Sequence, residues 1–202
     1  MTSEQFAFWF SLSLWVVTCI AAVACGALWR SASSDERGRP LANWAGASLL
    51  FMLGSSALAI GQATQWAPFL WLANLLIVSA YATLTDALTG KRAYLIGVVL
   101  VTSVSVGLLF IFELSYSARA GIISLLIAAT IVPCFKGQKR ESKTLKTLRW
   151  ILVVYSALLA VRPVSTLTPW FEAIDRAFFI YSLPHAIAVG CAAILAASGL
   201  RL

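Results

Sequence analysis

The sequence predicts an all-α integral membrane protein, a single bundle of seven transmembrane helices filling residues 1–202, and three observations carry that prediction. The chain is 60% hydrophobic and only 11% charged, with a mean hydropathy of +0.88, whereas a soluble domain carries about a quarter charged residues. Its apolar residues fall into seven runs near the roughly 20-residue length that a bilayer-crossing helix needs. Its basic residues gather in alternate gaps between those runs. A chain of 202 residues leaves no room beside seven spans for a soluble domain of ordinary size.

The first run, 6–29, follows "MTSEQ", which holds no basic residue. That leader, and an apolar run longer than a signal-peptide core, predict a span that stays in the protein, although "AAVAC" resembles a cleavage site at Cys25. The second, 41–61, begins after the turn-forming "SSDERGRP". The third, 67–88, is apolar but carries Asn74, Tyr81 and Asp86. The fourth, 93–112, lies between "TGKR" and "ELSYS". The fifth and sixth, 119–135 and 148–164, are the shortest and flank "KGQKRES". The seventh, 177–199, contains Pro184, which cannot donate its backbone hydrogen bond and predicts a kink beside His185.

Orientation follows from charge. Arg30, Arg37, Arg39, Lys91, Arg92, Lys136, Lys139, Arg140, Lys143, Lys146, Arg149 and Arg201 fall on one side, and only Arg119, Arg162 and Arg176 on the other. The positive-inside rule puts the N-terminus outside and the C-terminus in the cytoplasm, as an odd number of spans requires. Trp9, Trp29, Trp44, Trp66, Trp71, Trp150 and Trp170 stand at or near run ends, where an indole keeps its ring buried and its N–H wet. The net charge of +7 is thereby a matter of topology and of adhesion to anionic lipid, and no nucleic-acid partner is expected.

Several chemistries are excluded by what the chain lacks. Cys19, Cys25, Cys134 and Cys191 form no C-x-x-C pair and read as packing residues, so neither a disulfide nor a cysteine metal site is expected. One histidine cannot build a bis-histidine haem or an imidazole cluster, and the seventh run has no lysine for a retinal Schiff base. Without H-E-x-x-H, G-x-S-x-G or a phosphate loop, the chain is expected to be neither an enzyme nor a cofactor carrier.

The polar residues inside spans are the candidates for function. Asp86 and the lysine and arginine that follow "TG" stand near the inner interface. Asn74 lies about two turns below the outer surface, and Tyr81, seven residues on, shares its helix face. An amide at that depth needs partners that lipid cannot supply. Arg162 in "LLAVRPV" and His185 in "FFIYSLPHAIAV" reach similar depth from the last two spans. Asn74, Tyr81, Arg162 and His185 therefore form a candidate ligand pocket open to the outside. Arg162 supplies a fixed positive charge suited to a small anionic ligand, and His185 a sensitivity to external pH. The competing reading is that these groups hold the helices together.

The run "WLANLLIVSAYATLTDALTGKR", the arginine in "SARAGIISLLIAAT" and "LLAVRP" resemble the seven-helix N-terminal sensor region of membrane-bound bacterial diguanylate cyclases. In that family the last helix leads through a coiled linker to a cytoplasmic GGDEF domain, and here the sequence stops at "GLRL", where the linker would begin. The resemblance implies a signal-input module without its own output domain, in a bacterial inner membrane. It further implies homodimerisation and either a cyclase domain or a partner protein on the cytoplasmic side. A small solute transporter and a structural membrane subunit are the alternatives from other classes. The topology is checked by fusing reporters after Leu202: a cytoplasm-active one should work and a periplasm-active one stay silent, and the reverse would overturn both orientation and span parity.

Overall fold

The computed structural model describes residues 38–112, 116–136 and 143–165, together with the helical positions 9, 12, 13, 15–17, 19, 20, 22, 23 and 26. The seventh run, with Pro184 and His185, lies outside the described residues, as does most of the first. Among the described residues the protein is all-helical, without a strand. The helices are α1 (Gly38–Thr64), α2 (Ala67–Thr89), α3 (Arg92–Ile111), α4 (Tyr116–Ile131) and α5 (Lys143–Ser165), and a 3-10 turn over Val132–Phe135 continues α4.

Three described stretches are long and apolar enough to cross a membrane: Gly46–Thr64, Ala67–Thr89 and Ala118–Phe135. The apolar parts of α3 and α5, Ala93–Leu108 and Arg149–Val161, are shorter. In α5 the shortening has a plain cause, since Lys143, Lys146 and Arg149 occupy its first two turns and Arg162 its last.

Local chemistry sets the helix ends. Pro68 sits in the first turn of α2, where a missing N–H costs nothing. Gly90 ends the helix at φ 66°, and its N–H reaches the Asp86 carbonyl at 2.8 Å. Glycine takes that left-handed conformation without a Cβ penalty. The α1–α2 turn is only Gln65 and Trp66, and Gln65 adopts φ 55° while its amide donates to the Gln62 carbonyl at 2.7 Å.

That tight turn folds α1 and α2 into an antiparallel pair whose axes approach through small residues. A Cβ added at Gly61 would stand 2.7 Å from Leu70 Cδ2 and 3.0 Å from the Leu70 backbone nitrogen. One added at Gly54 would stand 2.9 Å from Ile77 Cγ1 and 3.3 Å from the Ile77 nitrogen. Ala47, buried seven residues before Gly54, extends the stripe, and Ala73 and Ala80 answer it from α2 with no exposed surface. A seven-residue repeat of small residues lets two backbones come close and gains dispersion contact along their length.

The helix α2 is central: besides α1 it meets α3, α4 and the 3-10 turn. Buried Val78, Tyr81, Leu84 and Leu88 of α2, Ile127 and Ile131 of α4, and Leu152 and Leu159 of α5 make a core. Outward faces are apolar, as in Ile96, Leu100, Val104, Leu108 and Ile111 on α3 and Trp150, Val154, Leu158 and Val161 on α5. Their three- and four-residue spacing marks one stripe on each helix, suited to hydrocarbon. Gly61→Val should force the α1–α2 pair apart and destabilise the protein by about 1–3 kcal/mol, read as a lowered melting temperature in detergent. Leu72→Ala, on a more exposed α2 position, should have a smaller effect.

Candidate functional site

Side-chain contacts fix how α5 runs against α2. Tyr81 of α2 stacks on Tyr155 of α5, with ring centroids 5.8 Å apart and planes at 22°, and the two side chains share a hydrogen bond. Four residues further along α2, Thr85 Oγ1 lies 4.0 Å from Cys134 Sγ, and the Cys134 carbonyl accepts a 3.1 Å hydrogen bond from Arg149, six residues earlier on α5. The two helices are thus antiparallel, with their basic ends together. Phe51 of α1 also packs on Tyr81 edge-on, at 4.9 Å and 88°.

The sequence-predicted residues take places along this seam. Asn74 is half-buried, and its Nδ2 donates to the carbonyl of Leu70, one turn back in its own helix, at 2.7 Å. Tyr81 is buried two turns further in, so its ring forms a floor beneath the level of Asn74. Arg162 belongs to α5, seven residues beyond Tyr155 just as Asn74 lies seven before Tyr81. In antiparallel helices rising about 1.5 Å per residue, the backbones of Asn74 and Arg162 stand at one level, about 10 Å from the tyrosine pair toward the non-basic end. The Arg162 side chain and the whole of His185 lie outside the described residues, so the expected pocket of Asn74, Tyr81, Arg162 and His185 is not assembled among the described residues.

Sequence reasoning missed the other end of the seam. Pro133 has no N–H, so the Ala129 carbonyl, its helical partner four residues back, is left to an outside donor. Tyr94 of α3 supplies it, its hydroxyl donating to Ala129 O at 2.9 Å. Ser156 of α5 reaches the adjacent Ala128 carbonyl at 3.4 Å, and Arg149 reaches the Cys134 carbonyl beyond the break. Arg149 is buried, although by position it reads as one more topology charge. A proline sixteen residues before an arginine at the edge of a basic loop was the available signal.

Trp71 is the second omission. Counted as an interfacial indole with a wet N–H, it instead buries Nε1 with no hydrogen-bond partner among the described residues. That nitrogen faces Gly107 of α3, where an added Cβ would stand 3.8 Å away.

No family model, curated protein or solved structure matches the chain.

The Pro133 break generates a coupling test. Tyr94→Phe should cost about 1 kcal/mol in the wild-type background, where the Ala129 carbonyl has no helical donor. In Pro133→Ala, which restores that donor, the same change should cost much less. Equal costs in both backgrounds, measured by reversible unfolding in detergent, would show that Tyr94 does not substitute for the missing N–H.

Proposed function

We propose that the chain is a membrane sensory input module, with seven spans, an outside N-terminus and a cytoplasmic C-terminus, in a bacterial inner membrane. On this reading Asn74, Tyr81, Arg162 and His185 receive a small anionic ligand from the outside. A homodimer passes the signal to a cytoplasmic cyclase domain or partner protein, and the module carries out no catalysis of its own. The observation that supports it best is the polar and aromatic seam between α2 and α5. It descends from the level of Asn74 through the Tyr81–Tyr155 stack to Thr85, Cys134 and the buried Arg149 beside the basic loop. A mere anchor has no need of such a column, whereas a receptor needs one element that both its ends can bias.

Transport is the weaker reading for a specific reason. Transporters bind ions at backbone carbonyls released where a helix breaks. Here, among the described residues, the carbonyl that Pro133 releases, that of Ala129, is held by Tyr94.

The test is a fusion of the full chain, through short helical linkers of stepped length, to a diguanylate cyclase domain. Cyclase activity should vary with linker length at a period near 3.6 residues, because helix phase sets how two domains face each other. In a screen of small carboxylates and phosphates, a response should be found that Arg162→Gln and Asn74→Leu abolish while the protein stays inserted. Activity indifferent to linker phase, or a response intact in both variants, would reduce the helices to an anchor.

A further inference from the structure

The basic end of the α4–α5 pair carries charge that the proposed pocket does not use. Residues 132–150 hold six lysines and arginines, Lys136, Lys139, Arg140, Lys143, Lys146 and Arg149, against a single acid, Glu141. Such a segment by itself predicts diffuse attraction to anionic lipid, spread over the whole loop. The fold gathers part of the charge onto one surface.

The gathering point is the bond from Arg149 to the Cys134 carbonyl, which holds the start of α5 against the 3-10 turn that ends α4. Lys136 stands two residues beyond Cys134, its backbone N–H tied to the Pro133 carbonyl at 3.3 Å. Lys146 stands on the first turns of α5, three residues before Arg149, which is turned inward, and four before Trp150, which is turned outward. Residues three and four apart are neighbours on a helix surface, so Lys146 occupies the rim between them. Lys136 and Lys146 are exposed, and among the described residues neither side chain is engaged in an ion pair or a hydrogen bond. Beside them Val132 and Phe135 on the 3-10 turn and Trp150 on α5 are each more than half exposed.

The order of residues along α5 says what covers this surface. From Lys146 one exposed stripe runs through Trp150, Val154, Leu158 and Val161: a cation, an indole one turn on, then branched aliphatics. In a bilayer an indole belongs at headgroup level and aliphatics in hydrocarbon. That sets Lys146 about 6 Å farther out than the indole, toward the lipid phosphates. We propose that this surface is a discrete site for one anionic phospholipid, with its phosphate held between Lys136 and Lys146 and an acyl chain lying along Trp150 and Val154. Lysine suits a phosphate as a compact charge with three rotatable donors. A lipid seated here ties the end of α4 to the start of α5 from outside, as Arg149 does from within. The site stands apart from the sensory reading, since none of Asn74, Tyr81, Arg162 and His185 takes part in it.

The full chain, in a non-ionic detergent, is titrated with phosphatidylglycerol while its melting temperature is followed. At ten times the half-saturating concentration the melting temperature should rise by about 3–6 °C, the shift that one bound ligand gives a chain of this size. Phosphatidylcholine with the same chains and inorganic phosphate at the same concentration should each raise it far less. The double variant Lys136→Gln/Lys146→Gln should lose the rise, and Lys146→Glu, a single change that reverses one charge, should lose it too. Lys139→Gln/Arg140→Gln removes the same amount of charge from the same loop and should keep it. Equal losses in the two double variants would reduce the effect to diffuse adhesion. That result, no rise in wild type, or an equal rise with phosphatidylcholine or with phosphate alone would overturn the proposal.

Discussion

Hydrocarbon offers a polar group no solvent partner, and the described structure is organised by that constraint. The economical answer is to bond within one's own helix. Ser55, Ser56, Thr64, Thr83, Thr89, Thr102 and Ser124 each donate to the carbonyl four residues back, at 2.7–2.8 Å, and Asn74 does the same with its amide. Such bonds satisfy the hydroxyl without fixing any neighbour. They explain how so many serines and threonines are tolerated in apolar helices, and they leave association to packing and to the few polar groups that reach across.

Those few are concentrated where the backbone itself is short of donors. The Pro133 break frees the Ala129 carbonyl at the basic end of α4, and three helices send side chains toward that segment: Tyr94 from α3, Thr85 from α2, and Ser156 and Arg149 from α5. Of these contacts only that of Tyr94 answers the missing N–H itself, and the others gather round the same segment. The small-residue seam of α1 and α2 works by the opposite means, with no polar group at all, through the closeness that Gly54 and Gly61 permit. Tyr81 joins the two systems, touching both Phe51 and Tyr155.

Much of this arrangement was legible in the sequence, and the remainder was hidden for one physical reason. The positions of α1 to α4 follow from run length and turn residues, and α5 was foreseen except for the basic turns that lengthen it at its start. Which face of each helix turns inward did not follow, because in lipid apolar character no longer separates core from surface. Ala73 and Ala80 are fully buried while Leu100 and Val104 lie outward, the reverse of a soluble protein's ordering by hydrophobicity. The heptad relation of Asn74 and Tyr81 was correctly read as a shared face. That the tyrosine would be occupied by Phe51 and Tyr155 depends on helices distant in sequence. Arg149 was concealed by its place at the edge of a basic loop, where charge is normally explained by topology, and the Trp71 N–H by the general habit of interfacial indoles.

The two faces of α2 also constrain where any signalling motion would occur. Its α1 side is interlocked: closer approach is barred by Leu70 and Ile77 against glycine, and separation forfeits a continuous run of close contacts. The adjacent side, carrying Asn74, Tyr81 and Thr85, meets α4 and α5 through the apolar core around Val78, Leu84 and Leu88 and, in addition, through a few discrete bonds and one ring stack. Packed interfaces shift between discrete arrangements rather than deforming smoothly. Single hydrogen bonds and an aromatic pair rearrange more readily than a continuous glycine-notched contact. On the proposed sensory reading, α1 and α2 therefore move as one body. The displacement is taken up at the Tyr81–Tyr155 stack and delivered to the basic loop through Arg149, whose hold on the Cys134 carbonyl is the last contact before the charged turn.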